Sequence, residues 1–164
     1  LQFFKPPPRS LPRLHANATD HRLHDELLRI TNKIQTIEKV TSGEICVTIK
    51  EKKKFSERKK SISQLAETQF YKLGINHTRD HTGIIIFLLL EEKQFHILAD
   101  EGINSKVNAD TWEKIKDQML AHFLAGNFCE GILLGLDEIG RILSEHFPIK
   151  VDDTNEISNK VIVE

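Results

Sequence analysis

Four carboxylate residues stand beside segments that have the pattern of β-strands, and carboxylates in such places can bind metal ions. Glu44 begins the first segment, Asp80 precedes the second, and Asp100 and Glu101 follow the third. Clustered carboxylates resist ionising together unless a cation neutralises them. Oxygen ligands without a cysteine favour a hard ion, so the sequence predicts a site for Ca²⁺ or, as second choice, Mg²⁺.

Three glycines lie close to these acids in the sequence. Gly43, Gly83 and Gly102 would let the backbone approach closely, so carbonyl oxygens could join the carboxylates as ligands. The alternative is that acids at loop ends are solvated surface charges or helix caps, which is their commonest role. The pattern alone leaves both interpretations open.

The order of the predicted elements explains how distant acids could meet. The predicted strands cover residues 44–50, 83–90 and 95–99. A helical segment joins the first two strands, so they should run parallel with a right-handed crossover. The third strand follows a tight link and should run back antiparallel. One edge of the sheet, called the acidic edge below, should therefore carry Glu44, Asp80, Asp100 and Glu101.

Apolar residues recur at steps of three and four in four segments, which predicts four helices. These segments contain residues 23–37, 62–73, 112–123 and 128–143. Asp110 with Glu113, and Asn127 with Glu130, have the spacing of capping boxes at the starts of the last two helices. The continuously apolar second strand is typical of a strand covered on both faces. These features predict an α/β fold, a three-layer α/β/α sandwich with a small mixed sheet and about four helices.

Composition and charge limit the functional classes to which this protein can belong. The chain has 164 residues, of which 39% are hydrophobic, and a formal charge of -1. We expect a basic, Pro-containing leader (1–19), a single domain (20–148) and a polar tail (149–164). The charge balance argues against a nucleic-acid partner, and the longest apolar run is too short to span a bilayer. We expect a cytoplasmic monomer, or an exported or organelle-lumenal one if the leader is the remnant of a presequence.

A basic cluster follows the first strand. By the topology above, it should lie at the end of the sheet opposite the acids. A solvated loop and helix start is the usual role of such a run, but it could also dock on anionic lipid headgroups or an acidic partner. The cluster comprises Lys50, Lys52, Lys53, Lys54, Arg58, Lys59 and Lys60.

Several short motifs resemble, in the same order, those of the TPM domain family, often called the TPM phosphatase domain. The resemblance covers about residues 20–158 and is strongest to small soluble bacterial members. Ala99 stands where those members usually have Gly, and Glu101 where they often have Lys. The motifs are Thr41-Ser42-Gly43-Glu44-Ile45, Leu73-Gly74-Ile75, Asp80-His81-Thr82-Gly83, Asp100-Glu101-Gly102-Ile103-Asn104, Trp112, Gly126-Asn127-Phe128, Gly131-Ile132, Phe147-Pro148 and Asp152-Asp153-Thr154-Asn155-Glu156.

The resemblance implies a fold and a choice of functions. It implies an α/β/α sandwich, and Ca²⁺ binding on an acidic edge as reported for some members, with Glu44, Asp80 and Asp100 at the matching positions. A plant thylakoid-lumen member, linked to photosystem II repair, has been assigned acid phosphatase activity. Other relatives are membrane-tethered auxiliary or assembly factors with no accepted chemistry.

Two functions therefore remain. The first is an auxiliary or interaction module, whose acidic edge binds Ca²⁺ and stabilises the fold or a surface for a protein partner. The second is a metal-assisted acid phosphatase, in which Asp80 is the candidate catalytic residue. A phosphate would need several cationic or amide donors beside the acids, and Arg79 is the only obvious one. The sequence thus favours binding over catalysis.

Overall fold

The structure is a computed structural model, and it describes residues 18–154 and 161–164. The α-helices in this part are α1 (Ala18–Glu38), α2 (Ile62–Lys72), α3 (Glu101–Asn104), α4 (Thr111–Leu124) and α5 (Phe128–His146). The strands are β1 (Glu44–Lys50), β2 (Gly83–Leu89), β3 (Gln94–Ala99) and β4 (Val161–Val163). Single turns of 3-10 helix cover Phe55–Glu57 and Ile75–His77. None of the helices described is long and apolar enough to cross a membrane.

The strands form one mixed sheet in the order β3-β2-β1-β4. β1 runs parallel to β2 and to β4, and β3 runs antiparallel to β2. The predicted parallel pair and antiparallel third strand are therefore confirmed. β4 was not predicted: it lies inside the segment expected to be only a polar tail, and it pairs with β1 along Val47 to Ile49.

Helices cover both faces of this sheet. On one face Ile45 and Val47 of β1 pack in a core with residues of α1, α4 and α5. On the other face Cys46 packs with Leu65 and Phe70 of α2. The period of two along β1 sends alternate side chains into the two cores. This arrangement confirms the three-layer α/β/α sandwich.

The two predicted capping boxes, at the starts of α4 and α5, do not form. Neither Asp110 nor Asn127 makes a side-chain hydrogen bond that caps the following helix. Asp110 has a helical backbone (φ -91°, ψ -1°), whereas a capping residue needs extended geometry, and its carboxylate pairs with Lys114 at 2.7 Å. Glu130 is likewise engaged elsewhere, by Arg29 at 2.7 Å.

The capping box that does form was not predicted. Ser61 accepts a hydrogen bond from the amide of Gln64, and the Gln64 side chain accepts one from the amide of Ser61. This pair fixes the start of α2, the crossover helix between β1 and β2. The predicted leader lies outside the described residues apart from its last two positions, where α1 begins.

Candidate functional site

The acidic edge lies where β1 and β2 begin and β3 ends. Glu44 is paired with Gly83 in the parallel register. The amide of Asp100 donates a hydrogen bond to the carbonyl oxygen of Gly83 at 2.9 Å. Asp80 lies three residues before Gly83, and Glu101 begins α3. The strand ends therefore converge as the topology predicts, and the side chains decide what the edge can bind.

Hydrogen bonds hold the loop that carries Asp80. The amide of Thr82 donates to the hydroxyl of Thr78 at 2.9 Å, and the hydroxyl of Thr82 donates to the carbonyl of Ser42 at 2.9 Å. His81 adopts a left-handed conformation with φ of 53°, which is uncommon for a residue other than glycine. The loop is thus fixed to the start of β1 and turned sharply at His81.

Gly102 allows α3 to pack directly against this loop. A Cβ atom at Gly102 would collide with the carbonyl oxygens of Asp80 and His81. Absence of a side chain therefore keeps these two oxygens at the N-terminal turn of α3. This is the close backbone approach expected for Gly102. Gly83 makes a similar close approach, because a Cβ atom there would collide with the carbonyl oxygen and the side chain of Ile75.

Asp100 has one engaged and one poorly satisfied carboxylate oxygen. Its Oδ1 accepts a hydrogen bond from the amide of Glu101 at 2.8 Å, which caps α3. Its Oδ2 is buried and accepts no hydrogen bond within the described part of the chain. The nearest cationic group is the ring of His81, whose Nδ1 is 3.5 Å away and is charged only when protonated. An ionised oxygen in this position is short of positive charge.

Asp80, unlike Asp100, forms ion pairs with lysine and arginine side chains among the described residues. The ammonium of Lys150 donates to Asp80 Oδ2 at 2.6 Å, and the guanidinium of Arg79 lies 4.0 Å from the same oxygen. The hydrogen bond from Lys150 is the main reason that the pKa of Asp80 lies below its usual value. Arg79 also pairs with Asp152 at 3.4 Å. A metal ion at Asp80 would have to compete with Lys150.

Glu44 and Glu101 occupy different environments. Glu44 is buried, with 6% of its surface exposed, whereas Glu101 is exposed on the first turn of α3. Among the residues that the structure describes, no three His, Cys, Asp or Glu side chains are grouped so that they could hold a metal ion. The fold therefore brings the four predicted residues to one edge, but their carboxylates do not form a single cluster.

Sequence reasoning missed Lys150 as part of this edge. Lys150 follows α5 and lies 70 positions from Asp80. Its position depends on an isolated antiparallel bridge between Thr41 and Pro148 and on the amide of Ile149, which donates to a carbonyl in the turn before β1. A lone lysine in a polar segment gave no signal of this contact.

The family comparison agrees with the observed fold. A family model described as the TPM domain matches residues 21–142. The solution structure of BA42, a protein from the psychrophilic bacterium Bizionia argentinensis, is 31% identical, covers 85% of this chain and 93% of its own, and superposes with a TM-score of 0.75. The N-terminal domain of a protein from P. gingivalis is 18% identical over 84% of this chain and 83% of its own, with a TM-score of 0.50, and shares the fold. No curated protein matches at a significant level.

Proposed function

Because this chain belongs to the TPM domain family, we propose that it is an auxiliary interaction module that binds Ca²⁺ at its acidic edge. Asp100 would supply the first carboxylate oxygen, and the side chains of Asp80 and Glu101, which stand at the same edge without forming a cluster with it, would turn toward the ion. Glu44 adds negative charge from the neighbouring strand. The observation that carries the proposal is Asp100 Oδ2, a buried oxygen that accepts no hydrogen bond from the described residues. A bound cation would neutralise it.

The expected affinity follows from the small number of carboxylates. Ca²⁺ takes six to eight oxygen ligands, and carbonyl groups and water can complete the set. The carbonyl oxygens of Asp80 and His81, which pack against Gly102 close to Asp100 in the sequence, are candidate backbone ligands. A site with few charged ligands and much water should bind weakly, with a Kd of about 10⁻⁴ to 10⁻³ M. Mg²⁺ should bind less well, because it needs a rigid octahedron and gives up its water reluctantly.

Lys150 acts as a competitor in this proposal. Its ammonium contacts Asp80 at 2.6 Å and occupies a position where Ca²⁺ would approach that carboxylate. The Lys150→Met variant should therefore bind Ca²⁺ more tightly, by up to about fivefold, because displacing a surface ion pair costs about 1 kcal/mol at most.

A calorimetric titration with Ca²⁺ tests the proposal. Asp100→Asn should abolish the heat of binding, while asparagine still caps α3. Asp117→Asn removes an acid from the exposed face of α4 and serves as the matched control, because it changes the net charge equally. Equal Ca²⁺ binding by all three proteins, or binding by none, would overturn the proposal.

One observation favours the phosphatase alternative. The structure places Lys150 beside Asp80 in addition to Arg79, so the acid has two cationic neighbours and not one. Both cations are engaged by carboxylates, since Arg79 also contacts Asp152. A phosphate would have to displace these contacts, and for this reason we rank catalysis second.

An activity assay separates the two functions. Purified protein and its Asp80→Asn variant would be given a generic phosphomonoester with Ca²⁺ or Mg²⁺, from acidic to neutral pH. Turnover by the wild-type protein that the variant lacks would support the phosphatase function over the binding function. Equal background from both proteins, together with Ca²⁺ binding that depends on Asp100, would support the module.

A further inference from the structure

The end of the sheet opposite the acidic edge carries a loop of strongly basic character. Residues 51–60, called the basic loop, follow β1 and include one 3-10 turn. The loop contains six basic and two acidic side chains. It lies beside the turn between β2 and β3, because the amide of Glu91 donates to the carbonyl of Glu51 at 2.9 Å. The basic side chains are Lys52, Lys53, Lys54, Arg58, Lys59 and Lys60.

Nearby acids do not neutralise most of this charge. Glu57 pairs with the buried Lys50 at 3.1 Å, and Glu92 pairs with Lys53 at 2.9 Å. By contrast, Lys52, Lys54, Arg58 and Lys59 are exposed, and none of these four forms a salt bridge with the residues that the structure describes. The loop therefore presents a group of solvent-exposed cations that an anionic surface could reach.

A large apolar side chain stands in the middle of these cations. Phe55 is 82% exposed, the largest exposed fraction among the aromatic residues described. The guanidinium of Arg58 lies over its ring at 4.8 Å from the centroid, a cation–π contact that holds the ring beside the basic groups. A single exposed hydrophobic side chain is common on protein surfaces, so Phe55 is informative here because exposed cations surround it.

We propose that the basic loop docks the protein on anionic lipid bilayers, with Phe55 inserted among the headgroups. Lysine and arginine side chains are attracted to the negative surface potential of such a membrane, and an aromatic ring adds apolar contact at the interface. The surface is a loop tip and not a groove, so it fits a broad planar partner. Docking in this way would point the acidic edge away from the membrane.

Cosedimentation of the full chain with vesicles tests this. Binding is expected to vesicles of phosphatidylcholine with about one-third phosphatidylserine, and not to pure phosphatidylcholine, and it should weaken as salt shortens the screening length. Lys54→Gln with Lys59→Gln should lower the partition coefficient by at least tenfold, since each charge near the surface contributes roughly a fivefold effect. The Lys106→Gln and Lys114→Gln pair removes equal charge outside the loop and should have little effect.

The apolar part of the proposal has its own variants. Phe55→Ala should lower partitioning by roughly tenfold, as expected for a ring that leaves water on binding. Tyr71→Ala removes an aromatic residue that is 59% exposed on α2 and should leave partitioning unchanged. If the two aromatic variants behave alike, Phe55 is not the anchor and the proposal is overturned.

Tryptophan fluorescence distinguishes docking through the loop from other modes of attachment. In the Phe55→Trp variant, anionic vesicles should shift the emission of the new tryptophan to shorter wavelength. The native Trp112 is the only tryptophan of the chain, and its indole donates to Asn104 near the acidic edge, so wild-type emission should not shift. Sedimentation without a shift in the variant would overturn the proposal, as would binding of acidic peptides or oligonucleotides without binding of vesicles.

Discussion

Asp80 is an anion held by the ammonium of Lys150 at 2.6 Å and by the more distant guanidinium of Arg79 at 4.0 Å. Because the hydrogen bond from Lys150 and these charges lower its pKa, the folded protein binds a proton at Asp80 less readily than the unfolded chain does. The resulting stabilisation is present above the unfolded pKa of about 4 and is lost as the pH falls through the lowered folded value.

Lys150→Met should therefore destabilise the protein at about pH 6 and have a smaller effect at about pH 2, below the unfolded pKa of Asp80. Asp80 is one-third exposed, so solvent screening limits the difference in free energy of unfolding to about 1 kcal/mol at most. Urea unfolding at the two pH values measures it, with Lys106→Met as the control for loss of a surface charge. An effect of the same size at both pH values would contradict the role assigned to this ion pair.

Some residues of the acidic edge were predictable and others were not. Glu44, Asp80 and Asp100 stand next to strand ends, so the order and direction of three strands was enough to place them at one edge. Side-chain partners depend on contacts between distant parts of the chain. Lys150 and Asp80 are 70 positions apart, and no local pattern relates them.

At the level of whole elements, hydrophobic periodicity predicted the long helices and strands and missed the short ones. α1, α2, α4, α5 and the strands β1 to β3 each carry a repeated apolar pattern that a sequence can reveal. α3 has four residues and β4 has three, which is too few for a period to be recognised. β4 also owes its position to β1, with which it pairs in parallel, and not to its own sequence alone.

Helix caps show the same limit, since spacing does not fix which partner a side chain takes. Ser61 caps α2 by accepting a hydrogen bond from Gln64 at 3.2 Å, while the side chain of Asn127 makes no capping bond to α5. Ser61→Ala should lower the free energy of unfolding by about 1 kcal/mol. Asn127→Ala should change it by less than about 0.5 kcal/mol. Denaturant unfolding compares the two, and equal losses would contradict the observed caps.

For the whole molecule, the formal charge of -1 conceals two oppositely charged ends. The acidic edge lies where β1 and β2 begin, and the basic loop follows the other end of β1. The net charge determines the electrostatic potential far from a protein, whereas a partner at contact distance interacts with the charges of the surface it touches. The two proposals, Ca²⁺ at one end and an anionic membrane at the other, are therefore compatible and can be tested separately.

The basic end also contains a buried ion pair that joins β4 to the rest of the molecule. The side chain of Lys50 is only 4% exposed, and its ammonium lies 3.1 Å from Glu57 and 3.3 Å from Glu164. Burial alone would raise the pKa of Glu164, but hydrogen bonds from Lys72 and Lys50 lower it. Lys50 was expected to be one more solvated base of the cluster, and that expectation is wrong.

Glu164→Gln should leave the buried ammonium of Lys50 with a single carboxylate and lower the free energy of unfolding by about 1 to 3 kcal/mol. Hydrogen exchange should also quicken at the amide of Glu51, which donates to the carbonyl of Glu164 at 2.7 Å. Lys50→Met removes the buried charge and keeps an apolar side chain of similar length, so Glu164→Gln should cost much less in that background. If the two substitutions destabilise additively, the ion pair does not couple β4 to β1, and backbone pairing alone holds the strand.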